Sequence, residues 1–501
     1  MKVAGYVHPG LFLQGPCFNE VWVEILGRLL QGLHRDAGSE CLMIVGSRFL
    51  RGAGEPRSER LLDGIRIAEV EETTLLRRLS ALGVVPTALD RLAYGSNGEH
   101  HPALCVLAEE VLRACAGFVP DVLISFAMPT DFLARSWPEA LRLHVEAGPY
   151  SRNPYPESLF FDHLGIYGES VIARAPARLR EFTATPEQAK FVAAFRRHFA
   201  AVLEAIDPFC DIDLRGPFDR VCLLPLQVSN WYGFDEQVTY RTQFEFLIDV
   251  LSATPPDVRV VVTEYPDWGP VIKQSGPGRN LDYLRRTFPN MLFLEAFTSY
   301  RSPSQFLVPR VDGVWSVSSN VAYQAMLFGR LLGTPPSTHL AGISHTTKFA
   351  EFFETLGRVP PQSRDAFLAW QLERYVVPQA LWSEGAWLDD YLRRRIEAAG
   401  ATNDLVEAFV PIADPARLEE AWIRQAPRPV AEPYEPHDGL LRELNALRKS
   451  QDGLRREIDA LRGSRSWRMT APLRAIAQSV HGLRGEPSQK LRSLLAKFRA
   501  E

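Results

Sequence analysis

Residues 120–148 read PDVLISFAMPTDFLARSWPEALRLHVEAG. The run Asp121–Phe126 is short and apolar, as expected of a buried strand. A second apolar run, Leu141–Val145, ends on Glu146-Ala147-Gly148. A carboxylate therefore stands directly after a strand, beside a glycine that permits a sharp turn. Ligand sites of α/β folds concentrate at that edge of the sheet. Glu146 is thus a candidate general base for a substrate hydroxyl. On spacing alone, a charged residue capping a loop is the plainer reading.

Working outward toward the N-terminus, Val3–Pro9 is an apolar run followed by a Gly/Pro-containing loop. Val21, Val23, Ile25, Leu26, Leu29 and Leu30 then fall at helical spacing between Asn19 and about His34. A strand is expected at Cys41–Val45 and a helix around Pro102–Gly117. Residues 50–100 show no regular pattern. Strands separated by helices imply an α/β unit with a mainly parallel sheet.

Toward the C-terminus the alternation is clearer. Strands are expected at Val221–Leu226, Val258–Thr263, Met291–Leu294 and Gly313–Val317. Helices are expected at Gln243–Leu251, Leu281–Phe288, Ser304–Val308 and Asn320–Phe328. This is a second doubly wound unit. Two such units joined near 205–218 enclose a cleft of the kind that takes small ligands. The organisation expected is a first Rossmann-like domain over 1–210 and a second over 211–425, then a Pro-rich linker at 426–439. A coiled coil at 440–462 and a basic tail at 463–501 complete it.

Across its 501 residues the chain is 46% hydrophobic and 23% charged, which excludes disordered, collagen-like and disulfide-scaffold proteins. No run approaches the ~20 apolar residues of a membrane span. The start, MKVAGYVHPG, lacks the charged and apolar regions of a secretory signal, so a cytoplasmic location is expected. The six cysteines form no C-x-x-C pair and read as small buried hydrophobes in a reducing compartment.

Charge is uneven. Residues 440–501 hold 14 Lys/Arg and 6 Asp/Glu, a net +8, whereas the whole chain is −4. An acidic body with a basic tail suggests a separate tail partner, either an anionic surface such as the inner membrane or an acidic protein. A solvated helical tail is the plainer alternative. Leu440, Leu444, Leu447, Leu454, Ile458 and Leu461 follow 4-3 spacing, with Gln451 at the one polar seam position. That pattern suits a homo-oligomeric coiled coil or one amphipathic helix lying on the body.

Among motifs that carry chemistry, the phosphate-binding G-x-x-x-x-G-K-[ST] and G-x-G-x-x-G, the zinc H-E-x-x-H and the nucleophile G-x-S-x-G are all absent. Asp211-Ile212-Asp213 has the D-x-D form of a metal motif but falls in the inter-domain connection, so no metal site is expected. Ser318-Ser319-Asn320 separates a strand from a helix and suits either a phosphate at the helix N-terminus or a plain N-cap.

At this point the chain resembles the bacterial capsule polysaccharide glycosyltransferases of the Kdo-transferase type, a GT-B group related to bacterial sialyl- and polysialyltransferases. The resemblance runs from about Pro120 to Ile343. It is carried by Pro120–Ser125 leading to His144–Gly148, by Phe161-Asp162-His163-Leu164-Gly165, by Pro225-Leu226-Gln227 with Asp235 and Gln237, and by Val314–Gly329. Two positions depart from the group's pattern. Ala147 stands where it has a second acid, and Tyr265-Pro266 where it has His-Pro. Ser464–Arg474 also resembles a Ser-x-Ser-Trp-Arg-x-Thr-x-Pro-Leu-Arg motif found at the ends of surface-polysaccharide glycosyltransferases.

The resemblance implies an inverting, metal-independent transferase for capsule or lipopolysaccharide synthesis. Its co-substrate would be a nucleotide sugar, with CMP-sugars among the candidates, and no resident cofactor is implied. Its acceptor would be a glycan or a lipid-linked glycan; nucleic acid is not an expected partner. Glu146 would be the base. Tyr265, Pro266, Ser318, Ser319, Asn320, Gln227 and Asp235 would hold the donor, and His144 and Arg152 the acceptor. The alternatives are a silent scaffold of a polysaccharide assembly and a GT-B-fold nucleotide-sugar epimerase.

Overall fold

The computed structural model describes residues 1–8, 16–47, 62–85, 89, 92–94, 101–227, 232–264, 272, 279–300 and 302–429. Residues 1–434 form one compact unit. The expected coiled coil, the tail motif, Tyr265 and Pro266 lie outside the described residues.

Two sheets organise the unit. The first has seven strands in the order β12-β6-β5-β4-β1-β2-β3. Its parallel part comprises β1 (Lys2–Tyr6), β2 (Glu40–Gly46), β3 (Arg66–Val70), β4 (Val122–Phe126) and β5 (Leu141–Ala147). Every residue of β4 is buried, which explains its unbroken apolar run. The stretch without a visible pattern supplies β3 and the helix Glu72–Ala81. In β3 only Ala68 and Val70 are buried, so its composition lacks the apolar signal of a central strand.

The second sheet is entirely parallel, in the order β11-β10-β7-β8-β9. It contains β7 (Arg220–Pro225), β8 (Val258–Thr263), β9 (Met291–Leu292), β10 (Gly313–Trp315) and β11 (Leu331–Gly333). Strand order around β7 reverses, because chain progress runs outward through β8 and β9 on one side and through β10 and β11 on the other. Ligands of open α/β sheets bind at such a switch point.

One expected boundary needs correction. The second domain was expected to run through 425, but the chain returns to the first sheet well before that. β12 (Val376–Pro378) pairs antiparallel with β6 (Ser158–Asp162), itself antiparallel to β5. Beyond β12, the helix Gly385–Ala401 packs against the helix Pro16–Ala37. The helix Pro415–Trp422 packs against the helix Pro186–Ile206. The apolar run of β12 is only three residues long, too short for periodicity to assign it to either sheet.

The long helix Pro186–Ile206 starts on a capping box: Thr185 Oγ1 accepts from Gln188 N, and Gln188 Oε1 accepts from Thr185 N. Such a cap contributes on the order of 1 kcal/mol. Phe195 of this helix packs edge-on against Tyr150 at 5.1 Å and against Trp422 at 5.4 Å. This buried aromatic cluster anchors, through Tyr150, the loop that leaves β5.

Candidate active site

A cavity lies between the C-terminal edges of the two sheets. From the first sheet and its loops it is lined by Glu146, Arg152 and Tyr167, and from the second by Gln227, Glu264, Ser319, Asn320 and His339. Two of the expected segments, Glu146 and Ser318–Asn320, thus meet at one cleft.

Glu146 is the penultimate residue of β5 rather than beyond it, opposite Phe160 of β6. The next glycine allows a close approach. A Cβ on Gly148 would lie 2.5 Å from Ser158 Oγ and 2.9 Å from Val376 Cγ1, and its backbone is not in the left-handed region. Gly148 is therefore required by tight packing against β6 and β12, not by a left-handed turn.

Burial pushes the Glu146 carboxyl up to about 7, opposed by the Tyr167 hydroxyl and by the Arg152 charge. The Tyr167 hydroxyl donates to Glu146 Oε1 at 3.4 Å. Tyr167 has φ +49°, in the left-handed region, where a non-glycine residue is strained. Across the cleft its ring meets His339 edge-on, with centroids 5.4 Å apart. His339 is held by Gln237, whose Oε1 accepts from His339 N at 2.7 Å. Burial takes the His339 imidazole down to about 3, so it is neutral at physiological pH.

The two walls are tied together by side-chain amides. Asn320 Nδ2 donates to Ala147 O at 3.2 Å and Gly148 O at 3.3 Å. Gln324 Nε2 donates to Pro149 O at 3.0 Å, and Gln305 Nε2 to Asn153 O at 2.8 Å. The Ser-Ser-Asn turn is thereby positioned directly over the end of β5.

Several expected roles change. Ser318 was expected to face a phosphate. Its N–H donates to Gln227 Oε1 at 3.1 Å, its Oγ accepts from Gln227 Nε2 at 2.7 Å, and its hydroxyl donates to Gly233 O. The polar groups of Ser318 are therefore engaged internally, and Gln227 acts as their clamp. Asn320 does not cap the helix Val321–Leu327 with its side chain; Ser319 Oγ instead accepts from Val321 N at 3.3 Å.

His144 does not reach the cleft. It is wholly buried, its Nε2 3.3 Å from Thr130 Oγ1 and its Nδ1 3.2 Å from Asp162 O. Burial lowers its basicity, so it is a core histidine rather than an acceptor contact. Asp235 ends the short helix Tyr232–Asp235 and does not line the cavity. Asp213 Oδ1 accepts from Arg215 N and Gly216 N, both at 3.0 Å, so this half of the D-x-D sequence closes a turn.

Sequence reading missed Tyr167, Glu264, His339, Tyr323 and Tyr375, all of which line the cavity. Tyr167 follows the recognised Phe161–Gly165 block by two positions, but nothing in its spacing marks a site. Tyr375 precedes β12, and its hydroxyl donates to Asp162 Oδ2 at 3.2 Å. Asp162 also accepts from Leu164 N at 2.8 Å and Val171 N at 2.9 Å. Its burial still raises its carboxyl to about 6.

Two Rossmann-like sheets facing one cleft, with the chain returning to the first sheet at its end, define the GT-B class. No family model matches the chain, and no curated protein matches it. Solved structures similar to it include the beta Kdo 2,7 transferase of KpsC from Thermosulfurimonas dismutans, at 17% identity and TM-score 0.35, covering 57% of this chain and 89% of that one. The glycosyltransferase SnogD from Streptomyces nogalater is similar at 15% identity and TM-score 0.27, covering 73% and 92%. The UDP-GlcNAc 2-epimerase from Neisseria meningitidis, bound to UDP-GlcNAc, is similar at 11% identity and TM-score 0.31, covering 78% and 99%. Among the described residues no helix is long and apolar enough to cross a membrane.

Proposed function

We propose that this chain is a glycosyltransferase of bacterial surface-polysaccharide synthesis that moves a sugar from a nucleotide donor to a glycan hydroxyl, with inversion and without a metal. The observation that supports this most is Glu146: a carboxyl lifted to about 7, at the end of a strand, facing a cleft between two Rossmann-like sheets. A base whose pKa lies near the working pH is both ionised often enough and basic enough to be useful.

In this reading the acceptor hydroxyl gives its proton to a Glu146 carboxylate oxygen while its oxygen attacks the anomeric carbon. The bond from that carbon to the nucleotide phosphate breaks, and the phosphate keeps the electron pair. Ser319 can serve the leaving phosphate, because its oxygen accepts from Val321 N and its own hydroxyl proton stays available. Ser318 and Gln227 act on the donor indirectly, by fixing the turn that carries Ser319. Tyr265 and Pro266 remain proposed donor contacts through the resemblance alone. Neither Asp211 nor Asp213 lines the cavity.

The test is to incubate purified protein with CMP-, UDP-, GDP- and dTDP-sugars, with and without oligosaccharide acceptors, before and after exhaustive chelation. Nucleotide release that requires an acceptor and survives EDTA supports the proposal. Acceptor-independent isomerisation of a UDP-sugar would replace it with an epimerase, and failure to bind any nucleotide would replace it with a scaffold.

A further inference from the structure

Within β6 every residue is buried except Phe160 at its centre. A large apolar ring left partly open in a buried strand forgoes part of its favourable burial, which calls for a reason. Phe160 lines the cavity together with Glu146 and Tyr167. In the register of the first sheet it stands directly opposite Glu146. Side chains so opposed share one face of the sheet, with Cβ atoms about 4.5–5.5 Å apart. That spacing is close to the width of a six-membered sugar ring.

The Phe160 ring is held from behind. The Tyr375 ring stacks on it, with centroids 5.2 Å apart and planes 7° from parallel. Tyr375 is buried, and its hydroxyl donates to Asp162 Oδ2 at 3.2 Å. Asp162 is buried in turn and accepts from Leu164 N and Val171 N. One face of the Phe160 ring is therefore covered by a fixed aromatic partner, and its exposure belongs to the rest of the ring.

The polar groups at this end of β5 call for hydrogen-bond donors. Tyr167 donates to Glu146 Oε1, and Oε2 has no hydrogen-bond partner among the described residues. Asn320 Nδ2 donates to two carbonyls, Ala147 O and Gly148 O, which fixes the orientation of the amide. Its Oδ1 is left as an acceptor with no partner among the described residues. An aromatic ring beside two acceptor oxygens matches a pyranose, which carries C–H groups on its faces and hydroxyls around its rim. The electron-rich face of an aromatic ring attracts such C–H groups.

We propose that Phe160 is the floor on which the pyranose ring of the acceptor lies, with one ring hydroxyl directed at Glu146 Oε2. The word acceptor rests on the glycosyltransferase reading; the binding of a sugar ring to Phe160 does not. Phe160 and Glu146 both come from the first sheet, and Tyr375 immediately precedes its strand β12. The floor thus lies across the cleft from the switch point of the second sheet, where the donor is proposed to bind.

The experiment records saturation-transfer NMR of the full chain, without donor, using methyl β-D-glucopyranoside, with D-glucitol and uridine as comparison probes. Irradiating the aromatic protons of the protein should saturate the C–H groups of one glucoside ring face most strongly. Glucitol has the hydroxyls but no ring face, and should bind about tenfold more weakly. Phe160→Leu keeps an apolar side chain but loses the π face, and should weaken glucoside binding roughly three- to tenfold. Phe160→Tyr keeps the face and should retain binding, with thermal midpoints recorded for both variants. Absence of glucoside binding, uniform saturation around its ring, or equal effects of the two variants overturns the floor. Uridine binding that is lost in Phe160→Leu would assign the ring to a nucleobase and overturn it as well. A protein that binds the glucoside on Phe160 but releases no nucleotide loses the transferase reading alone. One that transfers sugar while Phe160→Leu leaves pyranoside binding intact loses this floor alone.

Discussion

The side-chain amide of Gln227 grips Ser318 at two points, its Oε1 accepting from the backbone N–H at 3.1 Å and its Nε2 donating to Oγ at 2.7 Å. Gln227 follows β7 and Ser318 follows β10, adjacent strands of the second sheet. The grip therefore fixes the spacing of two loops at the switch point, where the donor is proposed to bind.

Gln227→Ala leaves the largely buried Ser318 N–H without its acceptor and removes the donor to Ser318 Oγ, whose own bond to Gly233 O remains, a loss of about 1–3 kcal/mol. Donor KM is expected to rise by roughly tenfold or more, with a smaller change in acceptor KM. Ser318→Ala should act on the same parameter, and the pair should couple by about 0.5–3 kcal/mol in a double-mutant cycle. Independent, additive effects would show that the two residues do not work as a unit.

Glu146 gives the activity a pH dependence of known sign. As a base it must be ionised, so kcat/KM should rise with pH along a limb centred near 7, where burial has placed its carboxyl. The Tyr167 hydroxyl and Arg152 both favour the ionised form. Tyr167→Phe should thus move the limb to higher pH while leaving the fold intact. Stability has the opposite sense. A carboxyl raised by the fold contributes fully below its ordinary value and loses that contribution as pH climbs through about 7. A pH–rate profile of both proteins tests this; a limb that Tyr167→Phe leaves in place would separate the phenol from the base.

Gly148→Ala should harm both stability and turnover. The added Cβ would meet Ser158 Oγ at 2.5 Å and the Ser158 carbonyl carbon at 3.2 Å, and Ser158 is fully buried. Overpacking of this kind costs about 1–3 kcal/mol. The strand end that carries Glu146 must shift to relieve it. A denaturant midpoint and kcat measured together check the expectation, and an unchanged midpoint would mean that the strands part without cost.

The sequence is legible where burial is two-sided. β4, β7 and β8 are buried at nearly every position and stand out as apolar runs. β3 was invisible because it is buried only at Ala68 and Val70, and β12 because three residues carry no period. At the site, Glu146 and Ser318–Asn320 were found through strand-end chemistry, and the cleft brings them together. The individual duties of His144 and Ser318 could not be read in the same way. A histidine in a strand shows its type but not its face, and only the fold reveals that Thr130 and Asp162 enclose it. Ser318 is claimed by Gln227, from the loop after β7 and 91 positions away in sequence, a separation over which local spacing says nothing.

The central claim is that Glu146 takes the acceptor proton. The most direct measurement is acceptor-dependent nucleotide release by Glu146→Gln beside the unaltered protein, with nucleotide affinity and thermal stability followed in parallel. Glutamine keeps the size of the side chain and its contact with Tyr167 but cannot accept the proton. The account predicts a rate lower by about 10²–10⁴-fold, with nucleotide binding and folding retained. Turnover near that of the unaltered protein would contradict it and remove Glu146 from the mechanism.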